Sequence, residues 1–473
     1  MEFVGRQRDI ASLRSQLDQV TQDRSGRAVI ITGRRRVGKS RLVQQFCDTS
    51  GVGSVVFQAT MGRNPNAERA DFIEAIASSG LDDASLVSGV QPTDWNQALR
   101  QLASVVPDDQ PVVVVIDEVP WLAQTDDSFE GALQTAWDRH LEQKPVLLLL
   151  IGSDQSVMES LRDHDRPFFG RASILRVEPL DPAEVQDMTG LSAVDAIDAW
   201  LITGGFPQIV SSWGTGESRA SFLARSLADP LSPLLISAEL TLLGEFPQST
   251  QTRSVLEAIG AGERTFSLIA REAGGGKPLA SGTLAPLLAN LIEKKVIAAD
   301  QPLSTVPDTR NKRYWITDPY LRFWLSFGAD ALPLAERGLG KAGLDRVEKS
   351  WQTWRGRAVE PLVRESVQRI CLKQDLAGVR VIGNWWNRQN NPEVDLIGAD
   401  RTPVAKKIGF IGSIKWRDQQ PFTYHDCADL LKALPVVPGC EAAPLAAVSA
   451  TGFDDGLPLR YRWNPEDIVD AWR

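Results

Sequence analysis

A chain of 473 residues is longer than one hydrophobic core usually supports, so two to four domains are expected, and 43% hydrophobic with 23% charged residues is ordinary for globular protein. The formal charge of −9 argues against wholesale wrapping by nucleic acid while leaving room for a locally basic face. Apolar runs such as Val146–Ile151 fall far short of a membrane span, so no transmembrane segment and no membrane partner is expected, and Cys47, Cys371, Cys427 and Cys440 form no C-x-x-C pair or zinc spacing.

The opening MEFVGRQRDI has no apolar core behind a basic stretch, so no secretory signal is expected and the reading is cytoplasmic. Within it FVGRQRD, Phe3 to Asp9, is an apolar pair, a turn glycine and an arginine leading into a helix over Ile10 to Val20. From Ala28 to Phe46 the apolar run AVIIT stops at GRRRVGKS and turns amphipathic as RLVQQF, a strand, a glycine loop and a helix. Gly33, Gly38, Lys39 and Ser40 fill the G-x-x-x-x-G-K-[ST] pattern, in which backbone N–H groups of the loop and the helix N-terminus point at phosphate oxygens. Arg34, Arg35, Arg36 and Val37 complete the loop and Arg41 follows it. Lys39 is placed to reach the β and γ phosphates of ATP and Ser40 to offer a hydroxyl to Mg²⁺, while a Cβ at either glycine would block the backbone angles or the approach of phosphate.

A second strand is expected at Ser54 to Ala59, with helices over Ala67 to Gly80 and Trp95 to Val105 covering the sheet. Val112 to Ile116 is a β-branched run that reads as a strand buried on both faces, and it ends in Asp117 and Glu118. There Asp117 can hold Mg²⁺ and Glu118 can orient or deprotonate an attacking water. A helix over Gly131 to Gln143 precedes another buried strand, Val146 to Ile151, closed by Gly152-Ser153-Asp154, and a strand at Ile174 to Val177 follows.

In this order the motifs resemble those of the archaeal-type ATPases, a branch of the AAA-like and STAND P-loop ATPases. FVGRQRD is similar to that family's h-h-G-R-x-x-E box, with Asp9 for Glu, which implies that Val4, Gly5 and Arg6 pack over adenine. DEVPWL resembles the DE-x-P-[YW]-L box. The resemblance implies ATP and Mg²⁺ as cofactors and makes Ser153 the γ-phosphate sensor, with Asp154 second, although a Gly-Ser-Asp turn would look identical. PFFGR, Pro167 to Arg171, resembles a segment whose arginine meets the terminal phosphate in its own or a neighbouring subunit; a surface arginine is the other reading of Arg171. GGFP, Gly204 to Pro207, resembles the G-x-P motif of STAND lids, whose proline rests against nucleotide; as bare sequence it is a helix stop.

Beyond Thr252, helical patterns at Val255 to Ile259, Thr265 to Ala273 and Thr283 to Ile297 precede a polar loop, Asp300 to Arg313, and the strand-like RYWI. The last helix places Leu284, Leu287, Leu288, Leu291 and Ile292 on one face. This is the pattern of a winged helix, whose third helix enters a major groove and whose wing, with Arg310, Lys312 and Arg313, lies on phosphate; a protein-docking or structural module is the alternative. From about Trp351 a helical GRAVEPLVRESVQRI leads to alternating strands. Glu393 and Asp395 share one strand face and Ser413 and Lys415 another. That hairpin resembles the restriction-endonuclease-like D…[DE]-x-K core, with Glu360 as the added acid. Ser413 stands where Asp or Glu belongs, and a hydroxyl is a poor Mg²⁺ ligand, so the site is expected to be degenerate. Trp385, Trp386 and Trp416 are read first as core residues.

The expected architecture is an α/β P-loop NTPase core (1–182) with a helical lid (183–245), a winged helix-turn-helix module (246–330) and a C-terminal α/β restriction-endonuclease-like domain (331–473). The expected function is an ATP-hydrolysing switch that binds DNA through the winged helix, with a homo-oligomer or protein partner open. The alternatives are an ATP-gated, metal-dependent DNA nuclease and a non-catalytic nucleotide-binding scaffold.

Overall fold

The computed structural model describes residues 4–161, 163, 164, 166–238, 250–262 and 264–473. The chain divides into two compact units, Met1–Pro179 and Leu180–Arg473. The first unit is built on a parallel sheet of β1 (Arg27–Thr32), β2 (Gly53–Gln58), β3 (Val112–Asp117), β4 (Val146–Ile151) and β5 (Ala172–Arg176), in the order β2-β3-β4-β1-β5. β3 and β4 are buried at every position, as runs of branched apolar residues covered on both faces should be, while the edge strands β2 and β5 keep exposed residues. An edge-to-face chain of rings, Phe57, Phe72, Trp95 and Phe129, with centroids 5.1, 5.6 and 5.1 Å apart, ties the covering helices to β2. The helix expected over Gly131 to Gln143 begins at Phe129 and is regular only to Ala136. Trp137–Leu141 is a π turn, and this wider turn buries both Trp137 and Leu141.

In the second unit the helices Pro182–Thr189, Ala193–Thr203, Pro207–Val210 and Arg219–Ala228 come first. Gly204 and Gly205 join two of them at φ 61° and 69°, and a Cβ on Gly205 would stand 1.9 Å from the Leu180 carbonyl oxygen. The expected end of the lid and start of the next module, 245 and 246, lie outside the described residues. Helices Thr250–Gly260, Phe266–Ala273 and Ser281–Glu293 are followed by an antiparallel pair, β6 (Ile297–Asp300) and β7 (Arg313–Ile316). The third helix therefore stops short of Ile297: Lys295 takes a left-handed backbone, φ 56°, and Ile297 pairs with Ile316. Ile292 is 40% exposed, so the buried face is Leu284, Leu288 and Leu291.

In the segment after β7, which spans the expected boundary at 330 and 331, helices Pro319–Phe323, Ala329–Glu336 and Gly340–Ala358 pack back on the unit's first helices. The Tyr320 hydroxyl donates to Leu234 O at 2.8 Å and Trp324 Nε1 to Leu235 O at 2.9 Å. The helical run expected through Glu360 breaks into Gly340–Ala358 and Glu360–Gln374, because Pro361 restricts its predecessor and supplies no N–H. A mixed sheet ends the chain: β8 (Val381–Trp386), β9 (Glu393–Ala399) and β10 (Ile408–Lys415) are antiparallel, and β11 (Leu445–Ser449) and β12 (Tyr461–Trp463) run parallel to β10.

Arg355 fastens these parts together. Its side chain is 1% exposed, Nε lies 2.5 Å from Asp198 Oδ1, and NH1 meets Asp418 beyond β10. Breaking a buried pair leaves the other charge uncompensated, which costs about 3–5 kcal/mol. Arg355→Met is expected to lose that much stability in urea unfolding, and Asp198→Leu in the same chain to restore most of it.

Candidate functional site

Because β4 lies between β1 and β3, the segments leaving these three strands emerge side by side at one edge of the sheet. Gly33 leaves β1 at φ 148°, and a Cβ there would stand 2.3 Å from the Val177 carbonyl oxygen. Gly38 opens the helix Lys39–Ser50 at φ 91°, and no side chain caps that helix, so its first-turn N–H groups are not taken by a cap. This is the arrangement that accepts a phosphate group.

The side chains at this edge form a connected set. Lys39, 7% exposed, donates to Gly33 O at 2.8 Å and Arg34 O at 3.0 Å. Burial lowers its pKa, with Arg35 adding to the effect and Glu118 and Asp117 opposing it. Ser40 Oγ donates to Asp117 Oδ2 at 2.6 Å, and the Glu118 N–H donates to Asp117 Oδ1 at 2.8 Å. The Ser153 hydroxyl donates to Glu118 Oε2 at 2.9 Å. Glu118 itself sits in the left-handed region at φ 57°, a backbone strain of about 1–3 kcal/mol that persists only where the surroundings enforce it. A hard cation fits the Ser40 and Asp117 oxygens, and a triphosphate supplies the anion that the buried ammonium lacks.

Arg6, 6% exposed, donates to Val37 O at 2.7 Å and to Glu178 O, and pairs with Asp9 at 3.5 Å. Arg6 thus grips the backbone of the loop at the fully buried Val37, and Val4 and Gly5 just before it are half-buried. Arg34 is half-buried, whereas Arg35, Arg36 and Arg41 are exposed. Asp154 Oδ1 accepts the Val157 N–H at 3.1 Å. Arg171 is engaged in a bidentate pair with Asp138, at 2.7 and 2.8 Å, and its hydrogen bonds hold the Asp138 carboxyl below the usual range. Neither Asp138 nor the Val177 and Glu178 carbonyls carried a sequence signal, since a π turn and a backbone oxygen have none. Pro207 lies in the second unit, opening the helix Pro207–Val210.

The second unit holds the other set. Asp395 Oδ2 accepts from the Ser413 hydroxyl at 2.9 Å and from the Ile414 N–H at 2.8 Å. Glu393 is taken by Arg313, which also donates to Asn390 at 2.8 Å and lies 4.3 Å over the Trp386 ring. Arg313 is therefore a buried packing residue and does not join Arg310 and Lys312 on an exposed wing. Burial raises the Glu360 pKa, and its nearest cation is Arg364 at 3.5 Å. Lys415 faces the same cleft. Trp385, Trp386 and Trp416 are buried. Among the described residues no three His, Cys, Asp or Glu side chains converge closely enough to hold a metal ion.

Residues 3–212 match the model of a family described as an ATPase domain predominantly from Archaea, and residues 324–427 that of a family of archaeal and bacterial proteins of unknown function. An uncharacterized protein of Methanocaldococcus jannaschii is 22% identical over 431 residues, spanning 88% of each chain. Among solved structures, the Walker-type ATPase of Pyrococcus abyssi is similar over 68% of this chain and 96% of its own, at 20% identity and a TM-score of 0.48. The Aeropyrum pernix ORC2 protein, in ADPNP–ADP complexes, covers 72% and 95% at 13% identity and a TM-score of 0.45.

Gly33→Ala is expected to push the loop off the Val177 carbonyl and to lower the melting temperature of the first unit, because the clash falls on backbone. An unchanged melting curve would show that the loop has another way round.

Proposed function

We propose, for a chain whose residues 3–212 belong to the ATPase domains found predominantly in Archaea, that the first unit binds and hydrolyses ATP as a switch controlling DNA binding by the second. The observation that carries it is the linked set Lys39, Ser40, Asp117, Glu118 and Ser153 at one sheet edge. In this reading Lys39 neutralises the β and γ phosphates, the Gly33–Gly38 loop cradles them, and Arg6 holds the loop in shape. Mg²⁺, held by Ser40 and Asp117, supplies charge neutralisation on those phosphates. Glu118 orients and deprotonates the attacking water. Ser153 senses the γ-phosphate: its hydroxyl is now spent on Glu118, and a phosphate oxygen that engages it frees that carboxylate for water.

The DNA partner is supported by the order of three helices and a hairpin over residues 250–316, with Arg310 and Lys312 exposed between β6 and β7. The C-terminal sheet keeps the strand order helix, hairpin and parallel crossover, but Asp395 and Glu393 are spent on internal partners, which supports a degenerate nuclease fold.

Lys39→Ala is expected to bind ATP on the order of a hundredfold more weakly while remaining folded, since a charge-assisted hydrogen bond contributes about 1.5–3 kcal/mol. Glu118→Gln should keep ATP affinity and lose most turnover in a phosphate-release assay; turnover at the wild-type rate would reduce Glu118 to a turn residue. Hydrolysis by the wild type should rise when duplex or branched DNA is added, and equal rates with and without DNA would remove the DNA partner. With Mg²⁺ and ATP the wild type should not cut DNA. Ser413→Glu restores one missing carboxylate, so weak nicking is expected to appear only there, whereas wild-type cutting that vanishes in Asp395→Ala would make the protein a nuclease.

A further inference from the structure

The cleft that holds the second set measures about 790 Å³ and is lined by Arg264 and Arg313 from the helix-and-hairpin segment, Arg357 and Glu360 from the helices beyond it, and Glu393 to Lys415 from the sheet. Its acids are accounted for within the protein. Glu393 is paired with Arg313, and Asp395 is held by Ser413 and Ile414. Asp426 pairs with Arg417 at 2.7 Å, Asp429 with Lys432 at 2.8 Å, and Glu360 lies 3.5 Å from Arg364. The bases are not. Among the described residues the Arg264, Arg357 and Lys415 side chains have no hydrogen-bond or ion-pair partner, although Lys415 feels Asp429 at longer range.

The cleft lining carries five acids, Glu360, Glu393, Asp395, Asp426 and Asp429, and five bases, Arg264, Arg313, Arg357, Lys415 and Lys432, while Arg322 and Arg364, which line a neighbouring pocket with Asp300, add to the positive charge acting on Glu360. Burial lowers the pKa of Arg264 and takes Arg322 down to about 10, with the neighbouring arginines adding to both shifts. A guanidinium drawn out of water, as that of Arg264 is, with the exposed Arg357 near it, is satisfied by an anion of matching fork geometry, and phosphate has that geometry.

We propose that this cleft is a phosphate-ester site in which Arg264, Arg357 and Lys415 hold the anion without a metal ion. Arg313 takes Glu393, the Ser413 hydroxyl and the Ile414 N–H take Asp395, and the bases left without a partner face the ligand. The inference rests on the DNA reading only for the choice of a nucleic-acid backbone as the ester; a small phosphorylated molecule offers the same chemistry.

The test uses the full chain carrying Lys39→Ala, which removes the phosphate loop as a competing anion site, in EDTA. Calorimetric titration with pyrophosphate should show binding that weakens at least about tenfold in Arg264→Gln/Arg357→Gln, as loss of charge-assisted hydrogen bonds predicts. Asp395→Asn should bind more tightly, since it removes a repelling charge; a metal-bridged site would lose binding instead. No pyrophosphate binding, binding indifferent to the double variant, or binding that needs Mg²⁺ overturns the proposal. Should the double variant melt early, Lys415→Gln, at the partly exposed end of β10, takes its place. Anisotropy with a labelled DNA duplex identifies the ester. If it is nucleic acid, the double variant lowers the slope of log K against log salt by about two, close to one per phosphate contact. If duplex binding is lost in Arg310→Gln/Lys312→Gln and untouched in the cleft variant, the DNA reading stands and the cleft takes a small ester. If the duplex does not bind at all, the DNA reading falls, and pyrophosphate alone decides the cleft.

Discussion

A parallel sheet covered on both faces has only one place to put polar chemistry, and the first unit is organised by that constraint. β3 and β4 bury every residue, so charge can appear only where the strands end. Inserting β4 between β1 and β3 then puts three strand ends in register. Lys39, the Asp117–Glu118 pair and Ser153 come from three separate stretches of sequence, each lying at or just beyond the end of its strand. The left-handed Glu118 follows from the same geometry, because the chain must turn sharply at the strand end to aim that carboxylate along the edge. Close approach at Gly33 and the grip of Arg6 on Val37 fix the loop against this edge.

The two units treat buried charge in opposite ways. In the first, one ammonium is buried against two carbonyls, with carboxylates placed to serve a cation beside it. In the second, Arg313 from the hairpin takes Glu393 of the sheet, and the Ser413 hydroxyl and Ile414 N–H take Asp395. A buried acid that is paired and hydrogen-bonded has little capacity left for a metal, whatever its position in the strand. Two independent contacts occupy these carboxylates: Ser413 donates to Asp395, and Arg313 pairs with Glu393.

Much of the first unit was legible because its signals are local. A β-branched run ending in Asp117 and Glu118, or a glycine loop ahead of an amphipathic helix, states strand, turn and chemistry within a dozen residues. The Ser153 contact with Glu118 needed only the strand order in addition. What stayed hidden depends on partners distant in sequence. Arg171 reads as a free cation until Asp138 is brought to it by a π turn. Arg313 reads as a wing residue until Trp386 and Glu393 close over it. The helix expected to reach Ile297 had the right apolar spacing, but β-pairing with Ile316 outweighed it. Arg355 sits in a helix with no local reason to be buried, and its partners Asp198 and Asp418 lie far away on either side.

Net charge does not contradict a basic site in an acidic protein, because the two act over different distances. At physiological salt the field of the −9 charge is screened beyond about 8 Å, and a phosphate inside the cleft feels the arginines within hydrogen-bond reach far more than acids on remote surfaces. Outside that range the acidic surface repels a polyanion, so encounter is not steered as it is for strongly basic binders. At low salt the repulsion reaches further while counterion release favours binding more, and the two oppose each other. For the proposed cleft site, a net negative chain therefore favours a phosphate held at hydrogen-bond distance over one met only through the long-range field.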